Sequence, residues 1–130
     1  MESKVTFDSP LFRPYLPDDA QVNPKLYGAE LAFWLSRKLA ERGVFTSYPI
    51  AEDWGWLIEY ITKYEDEFWL CCCNRNDAPD QWQCVLEAKA KSWFGRNKPS
   101  FDRAEALLKA LRPILEEQPE IDNICWGDTP

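Results

Sequence analysis

The chain contains no histidine. That absence removes Ser-His-Asp and Cys-His catalysis and every His-ligated metal site. Acid–base or nucleophilic work would fall to Asp, Glu, Lys, Tyr or Cys. Three places gather residues of that kind. The first is Cys71-Cys72-Cys73, to which Cys84 and Cys125 add two more thiols. Adjacent cysteines lack the C-x-x-C spacing with which two thiolates hold one zinc ion, and along a strand they point to opposite faces. They are expected to be reduced, buried and apolar in behaviour, with no metal and no cofactor implied. The second place is Glu52-Asp53, directly before Trp54-Gly55-Trp56. A carboxylate held against indole rings has a raised pKa and can serve as an acid, whereas in an open turn it is simply solvated. The third is Trp93-Phe94-Gly95-Arg96-Asn97-Lys98, where aromatics stand beside cations ahead of a helix. Such a loop suits an anion or a partner protein. The candidate binding residues are therefore Trp93, Phe94, Arg96, Lys98, Glu52, Asp53, Trp54 and Trp56. No catalytic residue is assigned.

The elements that must position these residues follow from periodicity. Lys4 to Phe7 alternates and suits a short edge strand. Residues 9–24 carry Pro10, Pro14, Pro17 and Pro24, a density that excludes a helix and favours an extended strap. Asn23 is a good N-cap with Pro24 at the first helical position, and Tyr27, Leu31, Trp34, Leu35 and Leu39 make one apolar stripe. Gly43 supplies the stop. Strands are predicted over Val44–Ile50, Trp54–Ile61, Phe68–Cys73 and Gln81–Lys91, the first two joined by a turn at Ala51-Glu52-Asp53. Trp54, Trp56, Ile58 and Tyr60 are expected on one face, as are Trp82, Cys84, Leu86 and Ala88. A second helix starts near Ser100 or Asp102, with Asp102 and Glu105 as a capping pair. Its stripe is Ala104, Leu107, Leu108, Leu111, Ile114 and Leu115, and Pro113 is expected to kink or end it. Ile121–Trp126 is a last strand.

The fold class is then α+β. A twisted antiparallel meander of four to six strands carries two helices on one face, in the order β-α-β-β-β-β-α-β. The other sheet face, with Leu57, Trp69, Cys71, Cys73 and Val85, is too apolar to be simply wet. The strap or a partner is expected to cover it.

A length of 130 residues fits one domain with a core of its own. The net charge of -7 argues against nucleic acid, whose phosphates need a basic surface, and suits a basic partner. The charge is uneven, since Ala88 to Ser100 holds Lys89, Lys91, Arg96 and Lys98 without an acid. No apolar run reaches the roughly 18 residues of a membrane span. The opening MESKVTFDSPLF lacks the apolar stretch of an export signal, so a cytoplasmic protein is expected.

The stretch from Tyr27 to Trp56 resembles small uncharacterised bacterial proteins of similar length, through Gly-Ala-Glu-Leu-Ala and Glu52-Asp53-Trp54-Gly55-Trp56. The resemblance covers about a quarter of the chain and implies a bacterial, cytoplasmic setting but no activity. Small size, acidity, the missing histidine and seven Trp residues together favour a non-catalytic protein-binding module, such as an immunity or inhibitor protein. Two alternatives stand beside it: a small-molecule or anion-binding domain, and an enzyme using carboxylate or cysteine chemistry. A homodimer through the second sheet face or the last strand is also open.

Overall fold

The alternation in Lys4-Val5-Thr6-Phe7-Asp8 forms β1 (Lys4–Asp8), with Val5 and Phe7 turned inward. The computed structural model describes residues 2–13, 27–91 and 97–128. After β1 come α1 (Ala29–Glu41), β2 (Ile50–Glu52), β3 (Gly55–Ile61), β4 (Glu67–Asn74) and β5 (Gln81–Ala88). A 3-10 turn (Phe101–Ala104) leads into α2 (Glu105–Glu116), and β6 (Asp122–Gly127) ends the series. The six strands form one antiparallel sheet in the order β2-β3-β4-β5-β1-β6. The α+β class and the element order are as the periodicity predicted. Consecutive hairpins account for β2 to β5, while β1 is inserted between β5 and β6.

One sheet face and both helical stripes share a single core. The sheet contributes Phe7, Ile58, Phe68, Leu70, Cys72, Trp82 and Leu86, and the helices contribute Leu31, Leu35, Leu39, Leu107, Leu111 and Leu115. Full burial of each of these larger side chains is worth about 1.5–3 kcal/mol of transfer free energy. Phe12 is buried in the same core, against the rings of Phe7, Trp34 and Trp82, and Trp82 Nε1–H donates to the Ser9 carbonyl at 3.0 Å. The strap therefore begins on the helix side of the sheet, not on the second face. Residues 14–24 lie outside the described residues.

Several boundaries differ from expectation for identifiable reasons. α1 begins at Ala29, not at Pro24; Asn23 and Pro24 themselves lie outside the described residues. Tyr27 N–H donates to Asn74 Oδ1 at 3.0 Å, and Gly28 holds φ +144° where a Cβ would stand 2.6 Å from the Cys72 carbonyl oxygen. Only glycine permits that approach. At the other end Gly43 has φ +81°, Gly43 N–H bonds Ala40 O, and Val44 N–H bonds Leu39 O, which is the predicted left-handed stop.

The strand expected at Val44–Ile50 reduces to Ile50–Glu52. Pro49 has no N–H to contribute, and before it only Ser47 pairs with β3, donating its N–H to Glu59 O at 2.9 Å while its Oγ accepts Glu59 N–H. The β2–β3 hairpin turns on two residues, Asp53 and Trp54, because Glu52 pairs with Gly55. β5 ends at Ala88, three residues before Lys91. Asp102 and Glu105 make no side-chain cap. Pro113 does not end α2, which runs on to Glu116. Buried Ile114 and Leu115 hold the last turn, and Glu117 N–H bonds Pro113 O at 2.9 Å.

Candidate functional site

The two-residue hairpin decides the fate of the Glu52–Trp56 patch. Side chains alternate along each strand, so Glu52, opposite Gly55, lies on the second sheet face with Leu57. Trp56 faces the core side, partly buried, and its ring stands beside Gly28. Trp54 projects from the turn and is exposed, as is Asp53. The structure thus separates the carboxylates from the Trp56 indole. Of the loop candidates, Trp93, Phe94 and Arg96 lie outside the described residues, and Lys98 is exposed. Two lysines of the same basic run are engaged: Lys91 with Asp66 and Lys89 with Trp69 and Glu87.

Cys71, Cys72 and Cys73 are poor nucleophiles. Burial, followed by the charge of Glu87, pushes the Cys71 thiol up to about 12. Cys72 and Cys84 face each other across β4 and β5 with their sulfurs 4.0 Å apart. Their mutual hydrogen bond and then burial raise Cys72 well above its ordinary range. Burial also raises Cys73. Thiolate is the reactive form, so these strand thiols stay inert near neutrality. Among the described residues no group of three or more acidic or cysteine side chains is placed to hold a metal ion, and no helix is long and apolar enough to cross a membrane.

Three other assemblies stand out. Asp66, with a side chain only 3% exposed, sits in the β3–β4 hairpin between Lys91 Nζ at 3.1 Å and Arg103 Nε at 3.5 Å, and it accepts from Thr62 Oγ1 at 3.3 Å. Burial alone would raise its pKa. The hydrogen bond and charge of Lys91, then Arg103 and Thr62, more than offset that and hold it below the ordinary value. Near β6, Arg112 lies over the Trp126 ring, 4.4 Å from its centre, and pairs with Glu2 at 2.6 Å and Glu116 at 3.2 Å. A groove of about 310 Å³ runs beside it, but its guanidinium is already paired with two carboxylates.

The third assembly is apolar and open. Phe33 on α1 and Phe45 and Tyr48 in the following loop are 49%, 72% and 82% exposed. The Phe33 and Tyr48 ring centres are 6.5 Å apart. A groove of about 250 Å³ lies here, lined by Ser36, Arg37, Ala40, Phe45 and Tyr48 among others. Arg37, the charged residue of that lining, has no ion pair with any described residue. Sequence reasoning missed these positions. Phe33 carried a signal, since it falls off the stripe made by Leu31, Trp34, Leu35 and Leu39.

The second sheet face holds a row set by strand register. Glu59, Trp69 and Glu87 lie directly opposite one another on β3, β4 and β5. Glu67 accepts the Trp69 Nε1–H at 3.1 Å, and Lys89 Nζ sits 3.8 Å from the indole centre. Burial first, and then the adjacent Glu67 charge and a hydrogen bond with it, raise the Glu59 carboxyl. Leu57 and Cys71 beside this row are buried, as the apolar character of the face predicted, while Trp69, Cys73 and Val85 are only partly so.

No protein-family model matches the chain, and neither a curated protein nor a solved structure is significantly similar to it.

Proposed function

We propose that the chain is a non-catalytic protein-binding module whose contact face is centred on Phe33, Phe45 and Tyr48. The observation that carries this reading is their exposure: Phe45 and Tyr48 line an open groove, Phe33 stands against Tyr48, and Arg37 in the same lining has no ion pair among the described residues. Aromatic and arginine side chains are the usual anchors of protein interfaces, because they bury much area for few rotatable bonds. A net charge of -7 adds electrostatic preference for a basic partner, and an immunity or inhibitor role fits that combination. The raised thiol pKa values of Cys71, Cys72 and Cys73, and the separation of Glu52 and Asp53 from the Trp56 indole, speak against catalysis by those residues.

The test is affinity capture with the intact chain and with a Phe33→Ala/Phe45→Ala/Tyr48→Ala variant of unchanged thermal stability. A stoichiometric protein partner held by the former and lost by the latter is expected. Equal retention by both, or no stoichiometric partner, overturns the reading.

A further inference from the structure

The row Glu59–Trp69–Glu87 pairs one half-buried indole with more negative charge than the described residues neutralise. Glu67 is fixed to the indole N–H, and Glu59 stands against Glu67. Against these three carboxylates stands Lys89, whose ammonium lies over the ring and 4.0 Å from Glu87. The nearby Lys91 is spent on Asp66. A groove of about 330 Å³, lined by Glu65, Glu67, Lys89, Ala90 and Lys91, opens beside the row. The carboxylates are not gathered as metal ligands. An indole face flanked by separate acids is instead the chemistry that receives an organic cation, through the negative face of the ring and the surrounding charge. Lys89 already shows that a primary ammonium fits there.

We propose that Trp69, with Glu59, Glu67 and Glu87, binds a lysine or arginine side chain presented by a partner protein, and that Lys89 is an internal stand-in which the incoming cation displaces. The proposal deepens the protein-binding reading and rests on it for the source of the cation. The two surfaces meet at β3, where Ser47 of the aromatic loop pairs with the Glu59 backbone. A basic partner seated on Phe45 and Tyr48 reaches the Trp69 row across that edge. Its charge also offsets the Glu67 charge, which after burial is the next cause of the raised Glu59 carboxyl.

The probe is the capped peptide acetyl-Gly-Lys-Gly-amide, titrated into the full chain labelled with nitrogen-15. The readout is the Trp69 indole N–H resonance, assigned by its loss in Trp69→Phe. That resonance is expected to shift saturably, and the same peptide with an acetylated lysine is expected to leave it in place. In Lys89→Ala the apparent affinity should tighten about five- to tenfold, because an internal competitor reduces affinity by the fraction of time it leaves the site open. Lys89→Met keeps the stem and removes only the charge, so it gives the same result if the alanine variant is poorly folded. Glu67→Gln/Glu87→Gln should abolish the shift. An unmoved resonance, no tightening in either Lys89 variant, or an undiminished shift in the double glutamine variant overturns the site. Because the probe is a small peptide, a positive result stands even if the aromatic face captures no protein. A captured partner indifferent to Glu67→Gln/Glu87→Gln overturns this site and leaves the aromatic face intact.

Discussion

Asp66 and Glu67 are neighbours in the chain with opposite electrostatic surroundings. Asp66 faces two cations and a hydroxyl, and its carboxyl lies below the ordinary value. Glu67 belongs to a group of carboxylates served, among the described residues, by one lysine, and the Glu59 carboxyl beside it lies above the ordinary value. A group with more partners than it needs ties the structure together. A group with fewer than it needs is available to something else. The Asp66 assembly fastens Lys91 and the 3-10 turn to the β3–β4 hairpin, while the Trp69 row is left with charge to spend.

The strongest way to break this contrast is to remove the floor beneath both. Phe68 lies between Glu67 and Trp69 in sequence, fully buried, with its ring near Tyr60 and Phe101 of the turn that carries Arg103. Phe68→Ala should cost about 3–5 kcal/mol in denaturant unfolding and loosen both assemblies. Asp66→Asn strikes only the first. Because the folded-state pKa is lowered, the ionised carboxylate stabilises the fold above the ordinary aspartate value of 3.8 and loses that contribution as pH falls through its depressed value. The variant should therefore melt below the wild type at pH 7, and the gap should close in acid.

Glu59→Gln should act with the opposite sign. A raised carboxyl opposes folding once pH climbs above the unfolded value, so the variant should match the wild type near pH 4 and exceed it at pH 7. Solvent screening keeps the gain to about 0.5 kcal/mol or less. The smallest effect is expected at the aromatic face. Phe45→Ser/Tyr48→Ser should leave unfolding stability within about 0.5 kcal/mol of wild type, since exposed side chains contribute little to it. A large loss there would mark these rings as structural and move them out of the contact surface.

Local pattern was a good guide where a segment's neighbours are close in sequence. The α2 stripe, the runs of β4 and β5, and the Gly43 stop are all short-range features, and all were legible. The start of α1 was not. Asn23-Pro24 is a strong local signal, yet Tyr27 is captured by Asn74, 47 positions away, and Gly28 is pressed against the Cys72 carbonyl. The insertion of β1 between β5 and β6 is likewise a long-range pairing that alternation cannot announce. Among site residues, the Glu52–Trp56 patch dissolved because a hairpin one residue tighter than expected sends its members to opposite faces. The Trp69 row became visible only once the register placed Glu59 and Glu87 on either side of it.

The cysteine pattern has a practical consequence for watching this molecule at work. Cys71, Cys72 and Cys84 are buried, Cys73 is partly covered, and Cys125 on β6 is exposed. A maleimide dye offered for a short time near neutrality should therefore settle on Cys125. The unmodified chain already carries one handle for distance measurements by energy transfer, with the tryptophans as donors.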